Sequence, residues 1–349
     1  MVVVEAVEPV LARVRDVLPA RCHQRSGWRT IAVITVNVAA YLGILFALSA
    51  VGAWWVSLPL VIGAGLAVSG LFILGHDASH GSMFAGDRAN GLAARLLMLP
   101  ALHVQEAWVL GHNRVHHGFT AREGMDFVWH PVSPASFRAA SPAQRLRHRI
   151  EWSWAGAGVY YLREVWWNRM VTFRPPPKRA RAIRRDWWLT ATFAVAASAA
   201  AMALGWARSG DGWGMALLWA KLVAGPFLVF SQVIGWAVYV HHVGPDIRWW
   251  RSGEWTPWRA QMTSTTVLRL PRLANLVFHN IFVHVPHHVD AGIPWYRLPE
   301  AAAAIEAAFP GTVVDQPFRV REYLRAVRTC KLYDFDAGRW LPYDEATGP

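Results

Sequence analysis

Four stretches of the chain carry no charge over lengths that match a bilayer crossing. They are 31–51, 54–75, 187–207 and 213–240, the last uncharged from Leu222 onward with Lys221 just before it. A membrane-spanning helix needs about 20 mostly apolar residues. The pattern therefore predicts four transmembrane helices in two hairpins rather than helices buried in a soluble core. The first run starts some thirty residues into the chain and is as long as the others, so it is expected to be a span and not a cleaved leader. Trp54, Trp55, Trp187, Trp188 and Trp206 fall at the predicted helix ends, where indoles favour the membrane interface.

Between the hairpins the pattern breaks up. Residues 91–110 are partly apolar but interrupted by Arg95, Pro100 and Glu106, which predicts a surface-lying or shallowly dipping helix. Pro175, Pro176 and Pro177 mark a linker before the second hairpin. The more polar C-terminal stretch predicts a helix at 300–308, a turn at Pro310–Gly311, a helix at 318–331 and an irregular tail.

Charge gives the hairpins a direction. Of the 349 residues only 17% are charged, against 54% hydrophobic; a soluble domain carries about 25% charge. The net charge is nevertheless +12, a balance that suits either nucleic acid or anionic lipid. Position decides. Arg13, Arg15, Arg21, Arg25 and Arg29 precede the first span, and 76–186 is dense in arginine. The turn at 52–53 has no charge, and the turn at 208–212 has only Arg208 and Asp211. By the positive-inside rule the N-terminus, 76–186 and 241–349 are expected in the cytoplasm, with no nucleic-acid partner. Cys22 and Cys330 are the only cysteines, which excludes a disulfide framework, a cysteine-based zinc site and an iron–sulfur cluster.

Histidines cluster where this layout would bring them together. His76 follows the second span and His241 the fourth, so both open on one face. Three boxes stand out: His76 and His80; His112, His116 and His117; His284, His287 and His288. Spacings of three to five residues put imidazoles on one side of a helix. Pro286 is tolerated if it lies in a first turn. The boxes hold eight of the 15 histidines. A lone histidine is usually a satisfied structural residue, but eight at ligand spacing call for coordination, since neutral imidazole binds Fe, Zn, Cu and Ni. Eight ligands exceed one centre that keeps a position open, so the count points to two metal ions. Structural zinc is closed by four ligands, often including cysteine, and no cysteine lies near.

At these residues the chain resembles the membrane fatty acid desaturase and hydroxylase superfamily. The likeness runs the length of the chain in order: hairpin, two boxes, hairpin, His241–His242, third box, polar tail. Longer strings narrow it. The run from Gly111 through His112-Asn-Arg-Val-His116-His117 to Ala121, then the run from Asp126, looks like the second-box region of bacterial acyl-lipid omega-6 (delta-12) desaturases. So do the run from His284 to Trp295, the tail from Cys330 to Leu341, and Tyr239-Val-His-His242-Val-Gly-Pro245 for their own regions.

The resemblance implies two iron ions held by His76, His80, His112, His116, His117, His284, His287 and His288, with His242 as ninth ligand and His241 as the alternative. It implies O₂ as co-substrate, and an acyl chain carried on lipid, coenzyme A or acyl carrier protein. Electrons are then expected from a ferredoxin-like or cytochrome b5-like protein, because no haem-binding or iron–sulfur segment is seen. Zinc cannot supply the oxidant that cleaves an unactivated C–H bond. Two departures from the family pattern stand out. Three residues separate His112 from His116, where many members have two, and Gly244 stands where a further histidine often sits.

The expected fold is thus an all-α integral membrane protein, a single domain over 1–349. Four transmembrane helices in two hairpins carry a cytoplasmic helical cap with a histidine-rich dimetal site, in a bacterial inner membrane. Residues beside the boxes have two readings each. Asp77 and Asn113 either orient an imidazole or cap a helix. Asp290 either bonds a ligand or begins the turn before Gly292. His279 is either close to the site or a core histidine. His23, His103, His130 and His148 are expected at surfaces or interfaces. The arginines at 138–149 and 179–185 are expected to face lipid headgroups or to dock an acidic electron-transfer partner or acyl carrier. The 91–110 segment is expected to roof an acyl tunnel, so that Leu97→Trp or Ala101→Trp would move the product's double bond.

Desaturase, hydroxylase, ketolase and acetylenase outcomes share this scaffold. A non-redox histidine-rich metal protein such as a transporter would need histidines inside the apolar spans, where there are none. A zinc hydrolase would need a motif such as His-Glu-x-x-His, which is absent.

Overall fold

The computed structural model describes residues 10–347; the two ends of the expected domain, 1–9 and 348–349, lie outside the described residues. Among the described residues four helices are long and apolar enough to cross a membrane: Gly27–Ala50, Trp54–Ser79, Pro177–Ser209 and Gly212–His242. The first two have 24 and 26 residues, comfortably above the ~20 needed for a bilayer. Each helix runs past the apolar limits read from sequence at one end or both, and the second and fourth carry His76 and His241–His242 in their last turns.

Local chemistry sets the hairpin turns. Gly210 sits at φ 71°, the left-handed closure that glycine adopts without strain. Asp211 then caps the fourth helix by accepting from the Gly214 N–H at 2.7 Å. Lys221 lies inside that helix, in a π-helical segment Ala220–Ala224, and its ammonium donates to the Val51 carbonyl at the end of the first helix. The charge is thereby carried out to the turn of the neighbouring hairpin.

The second span is the central one, half buried against 11% for the first. It packs on the fourth at Gly65, where an added Cβ would stand 2.4 Å from Val229. A small residue at such a crossing lets two membrane helices approach closely.

The cap is built from the segments after the second and fourth spans, largely as short helices. Helix Asp87–Met98 packs Leu97 against Leu71, Leu74 and Ala78 of the second span. Arg95 bonds both Asp186 and Glu106 and so ties this helix to the start of the third span. Helix Pro142–Glu151 starts with a reciprocal Ser141–Gln144 capping box.

The protein is mostly helical, as expected, and two short strand pairings supplement the helices of the cap. Strand β1 (Thr266–Arg269) pairs in parallel with β2 (Val314–Pro317). The tail expected to be irregular forms an antiparallel hairpin of β3 (Leu332–Asp334) and β4 (Arg339–Leu341). Burial on both faces explains this: Leu332, Tyr333, Trp340 and Leu341 are all buried, and the Tyr333 hydroxyl accepts from the Trp249 N–H at 3.0 Å. The helices expected at 300–308 and 318–331 are found at Leu298–Ala308 and Val320–Thr329.

Candidate metal centre

The first box ends the second span, with His76 in its last turn and His80 closing it. The second box lies in a π-helix, Val109–His116, that continues from helix Gln105–Trp108. The wider turn is visible in the His117 N–H, which bonds the His112 carbonyl five residues back at 2.9 Å. The third box is helix His284–Val289, with Pro286 in its first turn as expected.

These elements sort the imidazoles into two groups. His76, His80, His112, His117 and His287 place their ligand nitrogens within 4.8 Å of one another, and so do His116, His242 and His288. His284 joins the second group, its Nε2 lying 3.1 Å from Nε2 of His288. Both adjacent pairs are split. His117 and His287 face the first group while His116 and His288 face the second, because successive helical side chains diverge by about 100°.

The donor set fits metal ions. Nε2 of His80, His116, His242 and His287 is buried with no hydrogen-bond partner, which is costly unless something else binds there. Elsewhere Nε2 atoms face each other: His76 and His117 lie 3.1 and 3.0 Å from His112. Two nitrogens at right angles about one ion, each at a usual distance of about 2.1 Å, lie roughly 3 Å apart. Burial first, and neighbouring imidazoles second, push His80, His112, His117, His284 and His288 well below the ordinary histidine range, and burial pushes His287 down to about 3. These rings are neutral at physiological pH, the form that binds metal.

The far nitrogens are held from behind, which fixes the tautomer and turns Nε2 inward. His76 Nδ1–H donates to Asp77 at 2.8 Å, the orienting role among its two readings. His116 donates to both carboxylate oxygens of Asp126. His288 donates to the Gln261 side-chain oxygen at 2.8 Å, and Gln261 in turn donates to the His117 carbonyl. His242 and His284 donate to the Ser264 and Ile281 carbonyls. No orienting role for Asp126 or Gln261 was read from sequence. Asp126 offered a signal, a carboxylate ten residues after His116; Gln261 offered none.

Other candidates are placed apart. Asn113 donates to the Ser79 carbonyl at 2.9 Å and so clasps the end of the second span instead of an imidazole. Asp290 accepts from the Gly292 N–H, its turn reading, and pairs with His23. His241 stacks on the His284 ring at 3.9 Å, outside both groups. His279 lies near Gly70 of the second span, away from both groups, as a core histidine would. His103 and His148 are not surface residues. His103 bonds the Ala101 carbonyl and the Tyr161 hydroxyl in the core, and His148 stacks on Trp152.

An apolar cavity of about 70 Å³ opens on the imidazoles. Its walls are Phe72 and Ile73 from the second span, Ile234, Ala237 and Val238 from the fourth, and Val165 and Met170 from a second π-helix, Tyr161–Val171. Leu97 and Ala101, expected in a tunnel roof over 91–110, are not among them. Those side chains are used against the second span and in the core, and only Trp108 of that stretch reaches the cavity. Trp108 also stacks on His112 at 4.0 Å.

Comparison with known proteins agrees with this geometry. A family model for fatty acid desaturases matches residues 52–317. The chain belongs to the fatty acid desaturase family. It is thus an O₂-dependent oxidoreductase of the membrane fatty acid desaturases, and the clustered histidines form the metal site typical of that family. The chain is similar to an sn-1 oleoyl-lipid 12-desaturase of Picosynechococcus, 27% identical over 93% of this chain and 90% of that one. It is also similar to a chloroplastic omega-6 fatty acid desaturase of spinach, 27% identical over 94% of this chain and 70% of that one. An sn-1 acyl-lipid omega-3 desaturase (ferredoxin) of Synechocystis is 28% identical over 85% of this chain.

Proposed function

We propose that this chain is a diiron acyl-lipid desaturase that inserts a double bond at the delta-12 (omega-6) position. The observation that carries the reading is the pair of imidazole groups facing one apolar cavity. His76, His80, His112, His117 and His287 hold one iron, and His116, His242, His284 and His288 the other. Nine imidazoles without cysteine suit iron, and desaturation requires a redox metal. The regiochemistry and the acyl-lipid carrier rest on the names of the relatives, 27–28% identical.

The reaction removes one hydrogen from each of two adjacent CH₂ groups. With two external electrons and two protons, both atoms of O₂ leave as two water molecules. When bound and reduced, the iron pair supplies the activation of O₂. The chain's own residues do the rest. Asp77, Asp126 and Gln261 hold the imidazoles in one tautomer, Phe72, Ile73 and Ile234 exclude water from the reacting carbons, and Trp108 braces His112. The electrons come from a ferredoxin-like carrier, in line with the name of the Synechocystis relative. The cap lies on the cytoplasmic side of a bacterial inner membrane, supported by the arginines before the first span and along 76–186. The whole chain acts as one domain, since each group draws on both cap segments.

Mass spectrometry of total acyl chains tests this in a bacterial host that supplies ferredoxin, beside the His287→Ala variant. Wild-type chains lighter by two hydrogens, with the bond at the twelfth carbon, are expected; the variant gives none. Gain of one oxygen identifies a hydroxylase instead, and purified protein without iron sinks the diiron reading.

A further inference from the structure

The stretch 269–281 leaves the cap as a closed loop. Its two ends are pinned together beside the third box, where the Leu268 N–H bonds the Phe282 carbonyl at 2.8 Å and Val267 bridges to Val283. Between these ends the chain runs down along the spans. At its far end is a single helical turn, Asn275–Phe278, after which His279 and Asn280 reverse the chain with φ of 44° and 57°.

Two contacts fix how deep the loop reaches. The Val277 carbonyl lies against Gly70 of the second span, 3.2 Å from where a Cβ would stand there. Gly70 precedes the helix end at Ser79 by roughly 13 Å along the axis, at 1.5 Å per residue. Phe278 packs on Trp236 of the fourth span at 6.2 Å, and Trp236 precedes His242 by roughly 9 Å on the same scale. The far end of the loop thus sits below the level of the imidazoles, beside two helices that cross the membrane.

In and just before that turn the loop leaves two leucines open, while Phe278 packs inward. Leu273 is 78% exposed and Leu276 70%. Two leucines this open, three residues apart, are unfavourable in water and favourable among acyl chains. Arg269 before the loop is paired with Asp315 of β2 at 3.2 Å and so marks the cap side, and the exposed Arg272 has a side chain long enough to reach headgroups. The inner side of the same loop ends at Ile281, which lines the apolar cavity at the metal centre.

We infer that loop 269–281 is a re-entrant membrane element, a fifth immersed segment whose Leu273 and Leu276 lie in direct contact with lipid acyl chains. Backbone inside a bilayer is tolerated where it is covered by neighbouring helices, and here the second and fourth spans cover it. The loop thereby sets a lipid-facing side chain and a cavity-lining side chain within one short turn, on the flank of the metal centre.

Site-directed quenching tests this without any metal. Leu273→Cys and Leu276→Cys are labelled with an environment-sensitive fluorophore in the full chain, reconstituted in nanodiscs. Native Cys22 and Cys330 are buried. Phe46→Cys and Val195→Cys, 77% and 69% exposed on the spans, serve as lipid references. Asp336→Cys, with a side chain 84% exposed on the cap, serves as the aqueous reference. Lipids carrying a doxyl group on the acyl chain should quench both loop labels as strongly as the span references, and iodide should leave them unchanged. Iodide quenching that matches Asp336→Cys would overturn the inference. So would protection from both quenchers, which means a second copy of the chain covers the loop. Weak doxyl quenching at Phe46→Cys and Val195→Cys would remove the four-span assignment as well, and so is distinguishable from failure of the loop alone.

Discussion

Asp126 grips the imidazole of His116 with both carboxylate oxygens, each 3.0 Å from Nδ1. The carboxylate is held in place by the backbone N–H groups of Ala121 and Val128, at 2.8 and 3.0 Å. With Asp126 so fixed, the His116 ring has one orientation and one tautomer. Removing such a partner typically costs 10–100-fold in metal affinity or activity. Asp126→Asn is expected to lose iron and activity on that scale while keeping its unfolding temperature without metal close to wild type. Metal analysis beside turnover checks it, and unchanged iron affinity would show that the grip is only structural.

His241 and His242 are adjacent but differently placed. His242 shares a group with His116 and His288, whereas His241 stacks outside both groups on His284. His242→Ala should therefore reduce iron from about two to about one per chain, as expected when one half of a two-metal site is opened. His241→Ala should keep both. Equal losses in the two variants would make His241 a ligand.

Buried imidazoles with no partner should make the metal-free protein sensitive to acid. Burial sets His287 at about 3 in the folded chain, against an ordinary 6.5. Between those values the unfolded chain binds protons that the folded chain refuses, so stability rises with pH. Metal-free protein should lose stability steadily as pH falls from 6.5 toward 3. Iron should raise the unfolding temperature near neutral pH, because ligand binding to the folded state alone adds stability. Differential scanning calorimetry with and without chelator reads both effects.

The second and fourth spans touch at Gly65, where a Cβ would stand 2.4 Å from Val229. Gly65→Leu is expected to cost about 1–3 kcal/mol, the usual scale of overpacking. A lower unfolding temperature in detergent and a loosened metal site should appear together, since these two helices carry His76 and His242. An unchanged unfolding temperature would mean that the crossing is not tight.

The cavity wall directs where product variants belong. Ile234→Trp should block the slot beside the imidazoles and abolish conversion while iron content stays at the wild-type level. Leu97→Trp is expected to lower stability without moving the double bond, since Leu97 packs against Leu71 and Leu74. Product analysis by mass spectrometry separates the two. A shifted bond in Leu97→Trp would restore that segment to the substrate path.

Much of the molecule is written in local pattern. Four uncharged runs determine four membrane helices, because a bilayer leaves no other use for so many consecutive apolar residues. Histidine spacing determines that imidazoles converge, and their position just past two spans puts them on one face. The polar tail was harder. Its hairpin rests on Tyr333 and Trp340 packing into the cap, a contact between distant parts of the chain that no short window contains.

Partnership within the site was decided only by the tertiary structure. Spacing along a helix says which side chains share a face, but the way the π-turn and helix His284–Val289 are packed decides which member of each His–His pair faces which group. The same holds for Gln261 and Ser264, which reach imidazoles from another part of the cap, and for Leu97, which packs on Leu71 and Leu74. Local sequence sets the period of each element. Which atoms meet across elements depends on how the elements are rotated and packed, and that is a property of the whole fold.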